Sequence, residues 1–230
     1  KSSPNCHYLF NGELEMGEIL PRVEVSELPS PYLMGLMDKF FGSHLCPLVY
    51  TTRGCPFRCT FCAEGEKYYN KVKHQGSLEE ELEYIAQRVT VSELLLTDAN
   101  FGMFKQDIDK AHIIARMQEK YGYPKIIIAS TGKNRKEQVL EVASIINGAM
   151  HIAAALQSTD PDVLKIIKRD NISLDSLSLV AKGAMGTNTD TYTELIVGLP
   201  GDSLAKHTNS VRDSIEADFG VIRNYQLIML

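Results

Sequence analysis

The sequence predicts an α/β fold built from parallel strands. Two observations support this: six apolar segments of strand length follow one another from residue 46, and amphipathic segments with helical spacing separate them. Such alternation is typical of βαβ units with right-handed connections. Six units make most of a (β/α) barrel but are two short of closure. An open doubly wound sheet has the same alternation, so periodicity alone leaves both architectures open.

The first half of the repeat begins at 46–53, an apolar segment that suits a short buried strand. Ser77 and Glu80 have the spacing of a capping box, and they open a helix at about 77–89 in which apolar residues recur every three or four positions. The other elements predicted in this half are a strand at 93–97, a helix at 106–121 and a strand at 125–129.

The second half begins with a helix at about 135–147 and a strand at 151–156. Asp160 is predicted to cap the next helix, because Pro161 follows it and proline is favoured in the first helical turn. The remaining predicted elements are a helix near 173–183, a strand at 193–197, a helix at 203–217 and a strand within 221–230.

Residues 1–45 do not follow this repeat. They contain prolines at positions 4, 21, 29 and 31, ahead of a short helical segment at 33–41. We interpret 1–45 as a leader or linker that packs against a barrel formed by 46–230. The sequence begins without Met and stops inside an apolar strand, so we expect it to be a segment of a longer protein.

The composition narrows the class of protein. The net charge is −5, which argues against a nucleic-acid-binding protein, since such proteins normally carry a basic stripe. No apolar segment approaches the 18 or more residues of a membrane span, and no secretory signal is visible at the start. We therefore expect a cytoplasmic protein that binds neither nucleic acid nor a membrane.

The most informative motif is a cysteine trio with the spacing C-x3-C-x2-C, formed by Cys55, Cys59 and Cys62. Intervals this short place three sulfurs on one compact loop. Iron–sulfur clusters are held by cysteine thiolates, usually four of them. A cluster with three protein ligands keeps one iron open, as a catalytic zinc site keeps an open position. The spacing therefore predicts a metal-cluster site of catalytic type.

Two other uses of cysteine compete with this prediction. A structural zinc site would need a fourth ligand at a fitting offset, and Cys46 and His74 are the nearest candidates. A disulfide framework is disfavoured, because the five cysteines are an odd number in a chain of 230 residues that can build a core without cross-links.

The cysteine loop resembles that of the radical S-adenosylmethionine (SAM) superfamily. The resemblance implies a partial (β/α)6 barrel and a [4Fe–4S] cluster held by Cys55, Cys59 and Cys62. In that family SAM binds the fourth iron, and an electron from the cluster cleaves it to a 5′-deoxyadenosyl radical. Phe61, just before the third cysteine, matches the aromatic residue that usually lies beside the adenine; its other interpretation is a core ring under the loop.

A narrower resemblance concerns the segments Leu28-Pro-Ser-Pro-Tyr-Leu-Met-Gly35 and Asp98-Ala-Asn-Phe-Gly102. Both are similar to radical SAM proteins that carry a cobalamin-binding domain, which is not in this sequence. The resemblance implies methyl transfer to an unactivated carbon or a phosphorus of a small molecule. Another radical rearrangement or oxidoreduction, and a non-catalytic zinc-binding module that uses Cys46, are the alternatives. A tRNA methylthiotransferase would need a second cysteine trio.

The resemblance also implies SAM contacts at the ends of successive strands. Asp98 and Asn100 take the place of the segment that meets the SAM amine, although a tight polar turn explains them equally well. Gln157 matches a glutamine that bonds the ribose or methionyl group. Arg169 matches the arginine that pairs with the SAM carboxylate, which suits the planar fork of a guanidinium. Glu194 matches an acidic residue that bonds the ribose.

Gly198 is predicted to let the backbone approach the adenine. Weaker candidates that would face the substrate are Ser130, Thr131, Lys133, Asn134, Tyr225 and Gln226, with Tyr68 and Tyr69 past the cysteine loop. The expected partners are a small-molecule substrate and an electron donor such as flavodoxin or ferredoxin.

Overall fold

The computed structural model describes residues 3–21, 24–69, 71–132, 134–171 and 191–228. The strands are β1 (His7–Phe10), β2 (Glu13–Met16), β3 (Leu48–Val49), β4 (Thr52–Arg53), β5 (Lys73–His74), β6 (Glu93–Phe101), β7 (Ile126–Thr131), β8 (Ile152–Ala153), β9 (Thr191–Val197) and β10 (Val221–Gln226). The helices are α1 (Leu78–Ala86), α2 (Asp107–Tyr121), α3 (Lys136–Ile145), α4 (Pro161–Ile166) and α5 (Leu204–Glu216).

Six parallel strands form the centre of the molecule in the order in which they occur in the chain. β3, β6 and β7 are hydrogen-bonded neighbours, and so are β8, β9 and β10. A parallel bridge between Ile127 and Met150 joins the two groups. A doubly wound sheet reverses its strand order at a switch point, and this sheet does not. The architecture is therefore the partial barrel and not the open sheet.

The first half of the barrel shares one continuous apolar core. Leu94 and Leu96 alternate along β6 and are buried against Leu82 of α1 and Ile114 of α2. Such alternation places every second side chain of a strand on the same face. Leu94 and Leu96 therefore mark the face of β6 that the helices cover.

The second half has two smaller apolar clusters. One contains Leu195 with Phe219, and the other contains Val163 and Ile167 at α4. The prediction that Asp160 caps α4 is confirmed, since its carboxylate accepts hydrogen bonds from the amides of residues 162 and 163 at 3.1 and 3.0 Å.

Three local predictions differ from the structure. The capping box is wrong: the Ser77 hydroxyl makes no cap bond and instead accepts a hydrogen bond from Gln75 at 2.9 Å. The Asp98–Gly102 segment does not form a turn, because β6 continues to Phe101. The strand expected at 151–156 is only two residues long, although Gln157 makes a further bridge to Leu195. The predicted helix near 173–183 lies outside the described residues.

The leader contacts the barrel through its second part. The Tyr32 hydroxyl donates to the carbonyl of Leu48 and accepts from its amide, both at 2.9 Å, and Tyr32 and Phe41 belong to the large core. β1 and β2 form an antiparallel hairpin with mostly exposed side chains. The boundary at residue 45 stays a prediction. None of the helices in the described ranges combines the length and apolar character needed to cross a membrane.

A cysteine-lined cavity at the strand ends

The cysteine loop starts where β4 ends. β4 pairs antiparallel with β5, so the segment between them leaves and re-enters the fold at one place. The amide of Cys55 donates to the carbonyl of Tyr69 at 2.9 Å, which closes this loop. Gly54 has a φ of +100°, and a Cβ there would lie 2.6 Å from the same carbonyl. Only glycine fits this position without displacing the backbone.

The other two cysteines lie in a tight turn. The amide of Cys62 donates to the carbonyl of Cys59 at 3.2 Å, and the amide of Gly65 donates to the carbonyl of Cys62 at 2.9 Å. The amide of Thr60 donates to the carbonyl of Ile167 at 3.0 Å, which attaches the turn to the end of α4. Backbone hydrogen bonds thus connect this part of the loop to the second half of the barrel.

All three cysteines line one cavity of about 250 Å³ at the carboxyl ends of the strands. The loop contributes one wall and the strand ends contribute the other. The lining residues are Cys55, Phe57, Cys59, Phe61, Cys62, Glu64, Ala99, Asn100, Ser130, Thr131, Ala153, Ala155, Gln157, Arg169, Tyr192 and Glu194. Barrel enzymes carry their active sites at this end of the strands.

The Asn100 and Arg169 side chains donate to cysteine sulfurs. Nδ2 of Asn100 lies 3.3 Å from Sγ of Cys55, and Nη1 of Arg169 lies 3.7 Å from Sγ of Cys59. Arg169 is only 8% exposed, and its other donors reach Asn171 and the carbonyl of Ala155. Burial lowers the pKa of Arg169, and the three cysteine sulfurs oppose that shift. The Arg169 guanidinium therefore places a positive charge against the sulfur-lined wall.

The two candidate fourth zinc ligands, Cys46 and His74, do not line the cavity with the three thiols. Within the described ranges, no group of three Cys, His, Asp or Glu side chains is arranged to hold one metal ion. Cys46 precedes β3 and lies near Glu93 at the start of β6, which is the opposite end of the barrel. Nδ1 of His74 lies 3.3 Å from Nζ of Lys110, so this ring nitrogen faces an ammonium group and not the cysteines. Cysteine thiolates hold iron–sulfur clusters, and hydrogen bonds to the sulfurs tune them. Three thiols on one wall, with donors directed at the sulfurs, suit such a cluster.

Five of the seven residues predicted to bind the cofactor line this cavity: Phe61, Asn100, Gln157, Arg169 and Glu194. Asp98 does not, because its carboxylate accepts hydrogen bonds from residues 51 and 52, outside the cavity. Gly198 lies past β9 and is exposed, so it does not line the cavity either.

Gln157 follows β8 and lies beside Glu194, which is in the middle of β9. The amide of Gln157 donates to the carbonyl of Glu194 at 2.7 Å, with a φ of +66° at Gln157. Burial raises the pKa of Glu194, while Arg223 and Arg169 lower it. A half-buried carboxylate is costly unless donors satisfy it, so a ligand with hydroxyl donors would stabilise Glu194.

Of the weaker candidates, Ser130 and Thr131 line the cavity, whereas Asn134, Tyr225, Gln226 and Tyr69 do not; Lys133 and the side chain of Tyr68 are not described. Sequence reasoning missed Tyr192, which precedes Glu194 by two positions on β9. The period of two in a strand is the signal that would have found it. It also missed Asn171, whose Nδ2 donates to the carbonyls of Leu156 and Ser158 at 2.8 Å.

A partial barrel with three thiols on the loop after its first strand defines a cluster-binding class of barrel protein. The Radical SAM superfamily model matches residues 49–212. The chain belongs to the radical SAM superfamily, whose members use a [4Fe–4S] cluster and SAM.

Two curated relatives are each 33% identical. One is the cobalamin-dependent radical SAM methyltransferase TokK of Streptomyces tokunonensis, aligned over 223 residues that cover 92% of this chain and 32% of that protein. The other is the 2-(S-pantetheinyl)-carbapenam-3-carboxylate methyltransferase of Streptantibioticus cattleyicolor, aligned over 218 residues that cover 86% of this chain and 32% of that protein. The chain therefore spans about a third of the length of these relatives.

Among solved structures, the radical SAM methyltransferase TsrM from Kitasatospora setae has a TM-score of 0.68 at 15% identity, covering 78% of this chain and 35% of that chain. At this identity the similarity shows the fold alone, and it agrees with the partial barrel described above.

Proposed function

We propose that this chain is the cluster-binding barrel of a radical SAM enzyme, with a [4Fe–4S] cluster held by Cys55, Cys59 and Cys62. One observation carries the proposal: the three thiols share a single cavity with polar side chains from four successive strand ends. When bound, the cluster supplies the one electron that reductively cleaves SAM. The protein supplies binding, orientation and electrostatics.

The side chains opposite the cysteines suit the parts of SAM. The Arg169 guanidinium binds a carboxylate, and the buried setting strengthens such a charge-assisted contact. Glu194 accepts hydrogen bonds from ribose hydroxyls, and Gln157 beside it offers an amide to the same region. Phe61 packs against the Val163–Ile167 cluster and presents an apolar surface to the adenine. Asn100, next to Cys55, meets the methionyl amine.

For the complete protein we propose cobalamin-dependent methyl transfer to a small-molecule substrate. The two relatives at 33% identity support this reaction, since one is named as cobalamin-dependent and both as methyltransferases. They favour methyl transfer over a radical rearrangement. A small redox protein such as flavodoxin or ferredoxin would supply the electron.

The first test is anaerobic reconstitution with iron and sulfide, followed by reduction with dithionite in the presence of SAM. We expect about four irons per chain, as a [4Fe–4S] cluster requires, and formation of 5′-deoxyadenosine. Cys59→Ala should abolish both, whereas Cys46→Ser should change neither, because Cys46 lies at the other end of the barrel. Zinc in place of iron, or metal loss in Cys46→Ser, would contradict the proposal.

A second test concerns Arg169. Arg169→Ala should weaken SAM binding by about 10- to 100-fold, the effect of losing a hydrogen bond to a charged group, with the iron content unchanged. Arg169→Lys keeps the positive charge but loses the planar pair of N–H donors, so it should recover part of the affinity for SAM. An unchanged SAM affinity in the alanine variant would remove Arg169 from the binding site.

A further inference from the structure

A buried polar cluster lies behind the cysteine loop, on the side away from the cavity. We propose that this cluster, and Asp98 above all, is a positioning device that fixes Cys55 relative to the other two cysteines. We define the Asp98 cluster as Thr51, Thr52, His74, Asp98, Asp107 and Lys110. The inference rests on the proposed function of the cysteine loop, and it gives Asp98 a role other than SAM binding.

The first step of the argument is the set of bonds to Asp98, which is 2% exposed. Its Oδ1 accepts from the amide of Thr51 at 2.6 Å. Its Oδ2 accepts from the hydroxyl of Thr51 and, at 2.8 Å, from the hydroxyl of Thr52. All three donors belong to the two residues that lead into the cysteine loop. One charged side chain on β6 therefore holds the entry strand of the loop.

The second step is the cation that completes the cluster. Nζ of Lys110 donates to the Thr51 hydroxyl oxygen at 2.9 Å and to Asp107 at 3.0 Å. The Thr51 hydroxyl thus donates to Asp98 and accepts from Lys110. The Lys110 and Asp107 side chains are almost fully buried. Buried charges are costly unless their partners are well placed, so removing one partner disturbs the whole cluster.

The third step links the cluster to a sulfur. Asn100 lies two residues beyond Asp98 on β6, and its Nδ2 donates to Sγ of Cys55 at 3.3 Å. The segment from Thr51 to Cys55 is therefore attached at both ends to a single strand. The two attachments lie two residues apart on β6, in the stretch where its pairing with β7 shifts register, so β6 sets the distance between them.

The fourth step is the contrast with Cys59. Its sulfur contacts Arg169, and its turn is attached to Ile167, so Cys59 is held by the second half of the barrel. Cys55 is held by the first half. The relative placement of these two sulfurs consequently depends on the bonds that the Asp98 cluster makes to Thr51.

The matched variants for a test are Thr51→Val, which keeps the shape of threonine and loses the hydroxyl, and Thr51→Ser, which keeps the hydroxyl. Thr51 does not line the cavity, so neither change touches bound SAM directly. Asp98→Asn removes the charge at the centre of the cluster.

The first measurement is made on the protein without metal. Iodoacetamide alkylates the cysteines, and peptide mass spectrometry gives the rate at Cys55. The exposed Cys6 serves as the internal reference. Thr51→Val and Asp98→Asn should raise the Cys55 rate by about fivefold, the effect of one lost net hydrogen bond, and Thr51→Ser should restore it. Equal Cys55 alkylation rates in the wild type and the three variants would overturn the proposal, whether or not the chain holds a cluster.

The second measurement is the electron paramagnetic resonance spectrum of the reconstituted, reduced protein before SAM is added. Thr51→Val and Asp98→Asn should both alter the wild-type spectrum, and Thr51→Ser should keep it. If Asp98→Asn weakens SAM binding while its SAM-free spectrum stays that of wild type and Thr51→Val is silent, then Asp98 is a SAM ligand and the proposal is wrong. A wild-type protein without any cluster would instead contradict the proposed function.

Discussion

The first three strands of the barrel and the last three are packed differently. β3, β6 and β7 share one continuous apolar core with α1, α2 and α3. β9 and β10 pack on two small clusters, and β8, whose Ile152 still belongs to the large core, marks the boundary between the two halves. Of the side chains proposed to bind SAM, Gln157, Arg169 and Glu194 belong to the second half.

The difference indicates that the first half of the barrel contributes most to stability, whereas the second half contributes most of the proposed binding residues. Apolar burial contributes about 25 cal/mol per Å² of surface, so the large core of the first half is the main source of folding free energy. The second half instead buries polar groups such as Arg169 and Gln157 beside the cavity. Buried polar groups cost stability unless they are hydrogen-bonded, and functional sites accept that cost. Substitutions in the two halves should therefore have different consequences.

The largest expected effect is on the first-half core. Ile114 is 0% exposed in the large cluster, so Ile114→Ala should lower the free energy of unfolding by about 4 kcal/mol and leave the affinity for SAM unchanged. Urea unfolding and equilibrium binding measure the two quantities. Leu204→Ala is the control, because Leu204 is 86% exposed, and it should change stability by less than about 0.5 kcal/mol.

The same substitution in the second half should divide its effect between stability and binding. Ile167 is also 0% exposed, but its cluster is small and can collapse more completely, so Ile167→Ala should cost about 2 kcal/mol. It should also weaken SAM binding several-fold, because Phe61 packs on this cluster. Equal losses for Ile114→Ala and Ile167→Ala, with SAM affinity unchanged in both, would remove the distinction between the halves.

A smaller effect is expected at the start of α4. Asp160→Ala removes a helix cap and should cost about 1 kcal/mol, whereas Asp160→Asn keeps the cap. The hydrogen bond from Lys206 lowers the pKa of Asp160. The charge of Asp160 therefore stabilises the fold above the ordinary pKa of aspartate, and this part is lost as the pH falls through the lowered value. The deficit of the asparagine variant should disappear in acid; a deficit independent of pH would contradict this account.

The smallest effect on the free energy of unfolding is expected at Glu194, where the substitution should raise this free energy and not lower it. Burial raises the pKa of Glu194, so its carboxylate costs stability at neutral pH, and the cost disappears below the ordinary pKa of glutamate. Glu194→Gln should make the ligand-free protein slightly more stable at pH 7 and equally stable near pH 4, while SAM binding weakens. Thermal unfolding at both pH values measures this. A loss of stability at pH 7 would show that the carboxylate has a structural partner.

Much of the fold could be predicted from the sequence because its signals are local. The alternation of apolar strands and helices, and the Asp160–Pro161 cap, depend only on neighbouring residues, and the structure contains them. The cysteine trio predicted the position of the cavity because its spacing is also a local signal. The choice between a barrel and an open sheet needed the resemblance, since strand order is not encoded in periodicity.

The errors arose where a side chain outside the expected motif binds the predicted residue. Ser77 has the right spacing for a capping box, but Gln75 occupies its hydroxyl. Asp98 follows an apolar strand as a ligand at a strand end would, but β6 continues, and the carboxylate bonds to Thr51 and Thr52. Thr51 lies 47 residues from Asp98 in sequence, beyond the reach of spacing arguments, whereas Gln75 is only two residues from Ser77 and competes locally.

The turn between Cys59 and Gly65 determines how this motif can be transplanted. A Cβ at Gly65 would lie 2.1 Å from the carbonyl oxygen of Cys59, so any other residue there would push the cysteine backbone out of place. A protein engineer who grafts the loop into another barrel must therefore copy eleven positions, from Cys55 to Gly65, and not the eight that the cysteines span. A search for related loops should likewise require the motif C-x3-C-x2-C-x2-G.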